Sequence, residues 1–424
     1  MATLTVTAVE LRKAARWAKP SAGTTIPVLG NVRVSIAGSQ LVIAWFDWET
    51  CLLARVAGKA ADGDQAATVL VPAVQFADAI GVAAGPKGPS EVEVTVHDGD
   101  KVDLVTRPAT AKAHRESVGQ DTDPAAYPAL PSMPVLTGWT PADVFVPAVA
   151  QIARCCADET HLPLISAVHF IPGQDRLELQ GTNRFILGLH EVPFNRATPV
   201  TASADKGRGF LVPARLAVKF ATGCEGPVFI GSPGPEGMVL LSDAWHTMVT
   251  KATAGDYPRV RSIVARTPPP VAVFGCDAVK LAAVAGVAGE LLDSAVQEMI
   301  DAAVQDPDDD RKEVDIRRNI RHAHDGHGMF ITASQAGVEI FAVHQGTQAE
   351  LGRWLVSSPD DPGDEVTVCV NPGYLARLLP PEGTVTVALS TPAKPVRVTV
   401  DGSPYEGVAC PVKLTPPVRE DATA

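Results

Sequence analysis

Hydrophobic and polar positions along the chain fall into short runs that restart. Between 9 and 19, Leu11, Ala14, Ala15 and Ala18 share one side of a 3.6-residue period and Arg12, Arg16 and Lys19 another, which predicts an amphipathic helix stopped by Pro20. Apolar, β-rich runs at 28–36, 41–44 and 51–56 predict a strand meander. A further run at 69–72 leads into a second short helix, 73–82, and strands at 91–96 and 101–106 meet at an Asp98-Gly99 turn. After a polar, proline-bearing passage at 109–134 the order begins again: helix 141–157, strands within 160–192, a strand-then-helix step at 209–221, and strands at 228–230 and 238–241. A third pass starts near 271, with a helix at 277–288, a strand pair within 327–344, a strand-then-helix step at 366–379, and strands at 385–389 and 396–400.

The restarts are related in sequence. Residues 160–192 align with 24–56 without a gap, setting Pro163 against Pro27, Val168 against Val32, Leu177 against Leu41, Leu179 against Ile43 and Asn183 against Asp47. Val212-Pro213 answers Val71-Pro72, and the Tyr257-Pro258 step answers Tyr127-Pro128. Self-similarity over so long a period implies a repeated structural unit. The expected architecture is α+β: three domains, 1–135, 136–269 and 270–424, each with two helices packed on antiparallel sheets. The third carries an acidic insertion around 290–315, expected to be a helix extension plus a mobile loop.

Composition narrows the picture. The 424 residues carry a formal charge of -12, which excludes a uniformly basic nucleic-acid coat but leaves room for a local basic face. Seven cysteines without CxxC spacing suit reduced thiols in a cytoplasmic protein. No segment approaches the ~18 apolar residues of a membrane span, and the charged N-terminal stretch is not a secretory signal.

Basic residues concentrate on predicted helices: Arg12, Lys13, Arg16, Lys19, Arg154, Arg215, Lys219, Lys280 and Arg377. Such residues either solvate an exposed face or meet a polyanion. His322, His324 and His327, with Asp325 between them, imitate a metal cluster, but they lie in a Gly-flanked turn and suggest no fourth ligand. No GxSxG, phosphate-binding glycine loop or HExxH occurs, so catalysis is the weaker hypothesis. A hydrolase built on the histidine-rich turn would need metal at His322.

TIPVLGNV near the start, LVP before the second helix of the first two units, the Tyr-Pro closures, TNRF in the middle unit and YEGVACPVKL near the C-terminus together resemble the bacterial sliding clamp family, the beta subunit of DNA polymerase III. The resemblance covers most of the chain. It implies the DNA clamp fold, with each chain forming half of a homodimeric ring whose inner helices face duplex DNA. It implies no catalysis, no cofactor and no metal. The partners it implies are double-stranded DNA, a clamp loader, and DNA polymerase and other proteins held through short clamp-binding peptides. By motif position the peptide pocket would be lined by Ile165, Thr182, Leu187, Pro258, Ile263, Val408, Cys410, Pro411 and Val412. The basic helix residues named above would face DNA.

The chain departs from the family pattern at several places. Gly23 stands where an arginine is usual before the first TxP element, Phe46 where a threonine precedes Asp47, and Ile186 where an arginine follows the TDRF-like step. The loss of that cation is expected to alter peptide preference. Ala288 and Gly289 replace larger apolar residues expected at the ring-closing interface. These departures suggest a divergent paralogue, and an alternative in which a clamp-fold interaction protein, inhibitor-resistant or carried on a mobile element, binds peptides without encircling DNA.

Overall fold

The computed structural model describes residues 1–19, 26–61, 66–84, 91–106, 113–120, 123–158, 161–197, 209–234, 236–305, 311–323, 328–344, 347–356 and 364–414, with the backbone alone described at Ala84, Pro124, Arg321, His322 and Ala323. Gly23, Asp306 to Asp310, His324 and His327 lie outside the described residues. Eight helices are described: α1 (Ala8–Ala18), α2 (Ala73–Ala84), α3 (Ala142–Ala153), α4 (Ala214–Ala221), α5 (Val260–Ala265), α6 (Ala278–Val304), α7 (Glu313–Ala323) and α8 (Pro372–Leu378). The strands pair antiparallel, as the α+β expectation requires. The chain divides into two compact units, the first built from 1–145, 194–212 and 219–252, the second from 146–193, 213–218 and 253–424.

In the first unit, Ala2–Thr7 pairs with Glu91–His97, which continues through Lys101–Thr106 to His114–Gly119 at an edge. A larger sheet runs from Asn195–Arg196 through Leu136–Pro141, Pro227–Gly231, Met238–Ser242, His246–Lys251, Thr50–Ala57, Gln40–Phe46 and Asn31–Ala37 to Ala67–Pro72. α1 starts with a Thr7 N-cap: the Glu10 N–H donates to the Thr7 hydroxyl at 3.2 Å, and that hydroxyl donates to the Glu10 carboxylate at 2.7 Å. Its apolar face, Leu11, Ala14, Ala15, Trp17 and Ala18, is buried.

In the second unit, one sheet runs Ala167–Pro172, Arg176–Thr182, Ile186–Pro193, Glu406–Ala409, Val396–Val400, Thr384–Leu389, Ala272–Asp277. The other runs Glu350–Val356, Gly337–Val343, Met329–Ser334, Val366–Val370. α6 begins at an Asp277 cap, whose carboxylate accepts the Lys280 N–H, and continues without a break to Val304. Leu292, Ala295, Val296 and Ile300 bury its second half, and Ile316 of α7 is buried as well. Much of the acidic insertion is thus ordered helix.

The repeat has a structural basis in three hairpin turns. The Asp47 side chain accepts the N–H groups of Glu49 and Thr50 at 3.0 and 2.6 Å. Asn183 accepts those of Phe185 and Ile186 at 3.0 and 2.8 Å, and Asp243 those of Trp245 and His246 at 2.9 and 2.8 Å. A short side chain with an acceptor oxygen closes each turn, so aspartate and asparagine interchange there. Trp48 and Arg184, the residues after Asp47 and Asn183, both sit at positive φ, 70° and 81°.

Candidate partner groove and cationic helices

In the second unit, Leu187 and Val408 are partners across neighbouring strands, and Thr182 faces Leu187 across its hairpin. Leu187, Leu189 and Val408 form a buried apolar cluster with Val260 of α5, and Tyr257 and Val264 pack against it. Ile263, on the same short helix, is 47% exposed. Pro258 and Cys410 are exposed and Pro411 half-buried, while half-buried Val412 packs against a separate cluster of Phe330, Phe341, Val343 and Cys369. Ile165 is buried, its carbonyl accepting the Ala157 N–H at 2.8 Å. The Thr182 hydroxyl donates to the Ile186 carbonyl at 2.7 Å and accepts the Arg184 N–H, so it shapes the turn.

Sequence reasoning missed Phe185 and Tyr374. Phe185 is 52% exposed, its ring stacked on Tyr374 at 5.3 Å, and its carbonyl accepts the Cys410 N–H at 2.7 Å. An aromatic at a hairpin tip was the available signal, since water-facing tips normally carry polar residues. Ile186 is the reverse case: only 1% exposed, it belongs to the main core of this unit, so its side chain is not offered to a bound peptide. Ala288 likewise is fully buried within the chain.

α5 is fastened by charge. Glu178 and Glu191 are directly opposed on paired strands, an arrangement that like charges disfavour. Arg261 of α5 resolves it, donating from Nε to both Glu178 oxygens at 2.8 Å and from its terminal nitrogen to Glu191. Those carboxylates, with burial opposing them, hold the guanidinium above its usual range.

The basic residues separate into two groups. Lys13 bonds Glu225 at 2.7 Å and lies 4.2 Å from the Trp245 ring centre. Lys219 donates to the Lys19 carbonyl at 3.2 Å near the Trp17 ring, and burial lowers its pKa. Arg154 and Arg377 each bond main-chain carbonyls. By contrast Arg16, Lys19, Arg215 and Lys280 are exposed, and among the described residues their side chains have no hydrogen-bond or ion partner. Arg12 is half-buried and, with Ala15 and Arg16 of α1 and Lys19 just beyond it, lines a cleft against Ala77, Asp78, Ile80 and Gly81 of α2.

Among the described residues, one group could hold a metal: Cys224, Asp243 and His246. The His322 side chain, His324 and His327 lie outside the described residues.

No protein-family model matches the chain. Over 260 residues it is 28% identical to the beta sliding clamp of Streptomyces coelicolor, a match covering 60% of this chain and 64% of that protein, just under two thirds. The beta sliding clamp of Micrococcus luteus is 26% identical over 270 residues, 62% of this chain and 80% of that protein. The chain is a divergent relative of the bacterial sliding clamps. Solved structures agree on the fold: the DNA polymerase beta subunit of Streptococcus pyogenes superposes with a TM-score of 0.73 at 13% identity, covering 97% of this chain and 100% of that one. The Bacillus subtilis DNA polymerase sliding clamp gives 0.70 at 16%, covering 98% and 100%. This clamp relative therefore carries the DNA clamp fold along nearly its whole length. None of its described helices is long and apolar enough to cross a membrane.

Proposed function

We propose that the chain is a DNA sliding clamp: a non-catalytic, cytoplasmic processivity factor whose three domains form half of a homodimeric ring around duplex DNA. The clamp fold spanning nearly the entire chain carries this reading. A ring that holds DNA topologically needs little affinity, which suits an acidic protein with a few unpartnered cations on its helices. Arg16, Lys19, Arg215 and Lys280 are the proposed phosphate contacts, with Arg12 beside them. The Leu187–Val408 cluster, with exposed Ile263 of α5 and the Phe185–Tyr374 pair, is the proposed surface through which a polymerase or other partner is tethered by a short peptide with apolar anchors.

The test is topological. Loaded on nicked circular DNA, the protein should remain bound and should leave when that DNA is linearised; retention on linear DNA with free ends would sink the reading. Light scattering should report a dimer. A monomer that still binds apolar-anchored peptides would favour an interaction protein that keeps the fold without encircling DNA.

A further inference from the structure

In the first unit, three potential ligand atoms converge at the end of α4. The Phe220 carbonyl, in the last turn of the helix, lies 3.1 Å from Cys224 Sγ and 3.1 Å from His246 Nε2, and these two lie 3.9 Å from each other. A tetrahedral zinc ion, with Zn–N and Zn–O near 2.0–2.2 Å and Zn–S near 2.3 Å, sets its ligands roughly 3.4–3.6 Å apart. Each edge of the triangle is within ~0.5 Å of that spacing. The carbonyl end of a helix is also the end that favours a cation.

The far side of the imidazole is held as a ligating histidine's would be. Asp243 Oδ1 lies 2.7 Å from His246 Nδ1 and also accepts the backbone N–H groups of Trp245 and His246, while Oδ2 accepts that of Glu225 at 3.1 Å. Trp245 stacks on the imidazole at 3.9 Å and Phe220 at 4.7 Å, and Trp17 meets it edge-on at 4.4 Å. His246 is fully buried and Asp243 5% exposed, whereas Cys224 is half-buried and marks the side from which an ion can enter.

We propose that Phe220 O, Cys224 Sγ and His246 Nε2 form a binding site for a zinc-class divalent cation, with Asp243 orienting the histidine. Nδ1 lies against the Asp243 carboxylate, which leaves Nε2 as the ring nitrogen on the side of the Phe220 carbonyl and Cys224 Sγ. Binding through Sγ displaces the thiol proton, which leaves to solvent, and the dication then balances one thiolate and one carboxylate. Bound there, the ion would tie α4 to the hairpin of Met238–Ser242 and His246–Lys251, and through Lys13 and Glu225 to α1.

The full chain carrying Cys410→Ser, which removes the exposed thiol, is stripped with a chelator and titrated with Co²⁺. One equivalent should produce a near-ultraviolet thiolate-to-cobalt band that Zn²⁺ bleaches. Cys224→Ser, nearly isosteric and checked for folding by circular dichroism, should abolish the band, and Asp243→Asn should weaken Co²⁺ binding about 10- to 100-fold. Absence of the band, or its persistence in folded Cys224→Ser, overturns the site.

Discussion

Arg154 and Arg377 cap each other's helices. Arg154, just beyond α3, donates to the carbonyls of Ala376 and Leu379 at the end of α8, both at 2.6 Å. Arg377, in α8, donates to the carbonyls of Arg154 and Cys156 at 2.5 and 2.6 Å and to Asp158 at 3.0 Å. Gln151 adds a bond to the Leu378 carbonyl at 2.8 Å. Each guanidinium satisfies main-chain acceptors that a helix leaves unpaired at its C-terminus and sits at the negative end of the dipole. Arg154→Ala and Arg377→Ala should therefore each cost about 1.5–3 kcal/mol, the range for hydrogen bonds to charged groups. In a double-mutant cycle by urea denaturation the two should couple rather than add. Strict additivity would mean that the two caps are independent.

Ile186→Arg tests what replaced the family's arginine. With Ile186 packed in the core, the substitution buries an unpaired charge and should lose more than ~3 kcal/mol. Urea unfolding checks it. A variant of native stability with altered peptide preference would return Ile186 to the groove.

Ile263 separates binding from folding. It is half-exposed while its helix neighbours Val260 and Val264 make the packing contacts, so Ile263→Asp should shift the unfolding midpoint little. Its affinity for a fluorescein-labelled peptide with leucine and phenylalanine anchors should fall at least tenfold by anisotropy. Arg261→Gln should weaken the same binding by loosening α5 and exposing the opposed Glu178 and Glu191 to mutual repulsion.

Charge reversal sorts the cations. Replacing Arg16, Lys19, Arg215 or Lys280 by glutamate should reduce salt-sensitive DNA association, each lost phosphate contact lowering the log–log salt slope by about 0.9. Lys13→Met should leave that slope unchanged, because Lys13 is paired with Glu225. An equal effect at Lys13 would undo the division.

Acid should weaken the second unit. Burial lowers the pKa of His169 and of His190 despite hydrogen bonds that oppose it. Both therefore fold neutral and take up protons on unfolding. The stability they contribute is present above the unfolded value of about 6.5 and is lost as pH falls through that value toward their lower folded pKa. Urea midpoints between pH 7.5 and 5 should drop, and His169→Gln with His190→Gln should flatten the profile.

The sequence alone determined the elements whose signal is local. The amphipathic period of α1, the valine-rich hairpins, the strand-then-helix steps ending in Val-Pro, and the Asp47–Asn183 equivalence were legible because each follows from period or turn chemistry within a few residues. Ala2–Thr7, His114–Gly119 and Glu350–Val356 went unread, the last two because strands at a sheet edge need little apolar alternation. His246–Lys251 was missed for the opposite reason: buried on both faces, it accommodates Thr247 and Thr250 by hydrogen bonds to Arg55 and Thr50. Only tertiary structure decided which polar groups were already occupied. Composition cannot distinguish Arg154, bonded to carbonyls more than two hundred residues away, from Arg215, exposed with no partner. Nor can it bring Phe220, Cys224 and His246 to one point, because that convergence depends on the packing of α4 against a hairpin rather than on spacing along the chain.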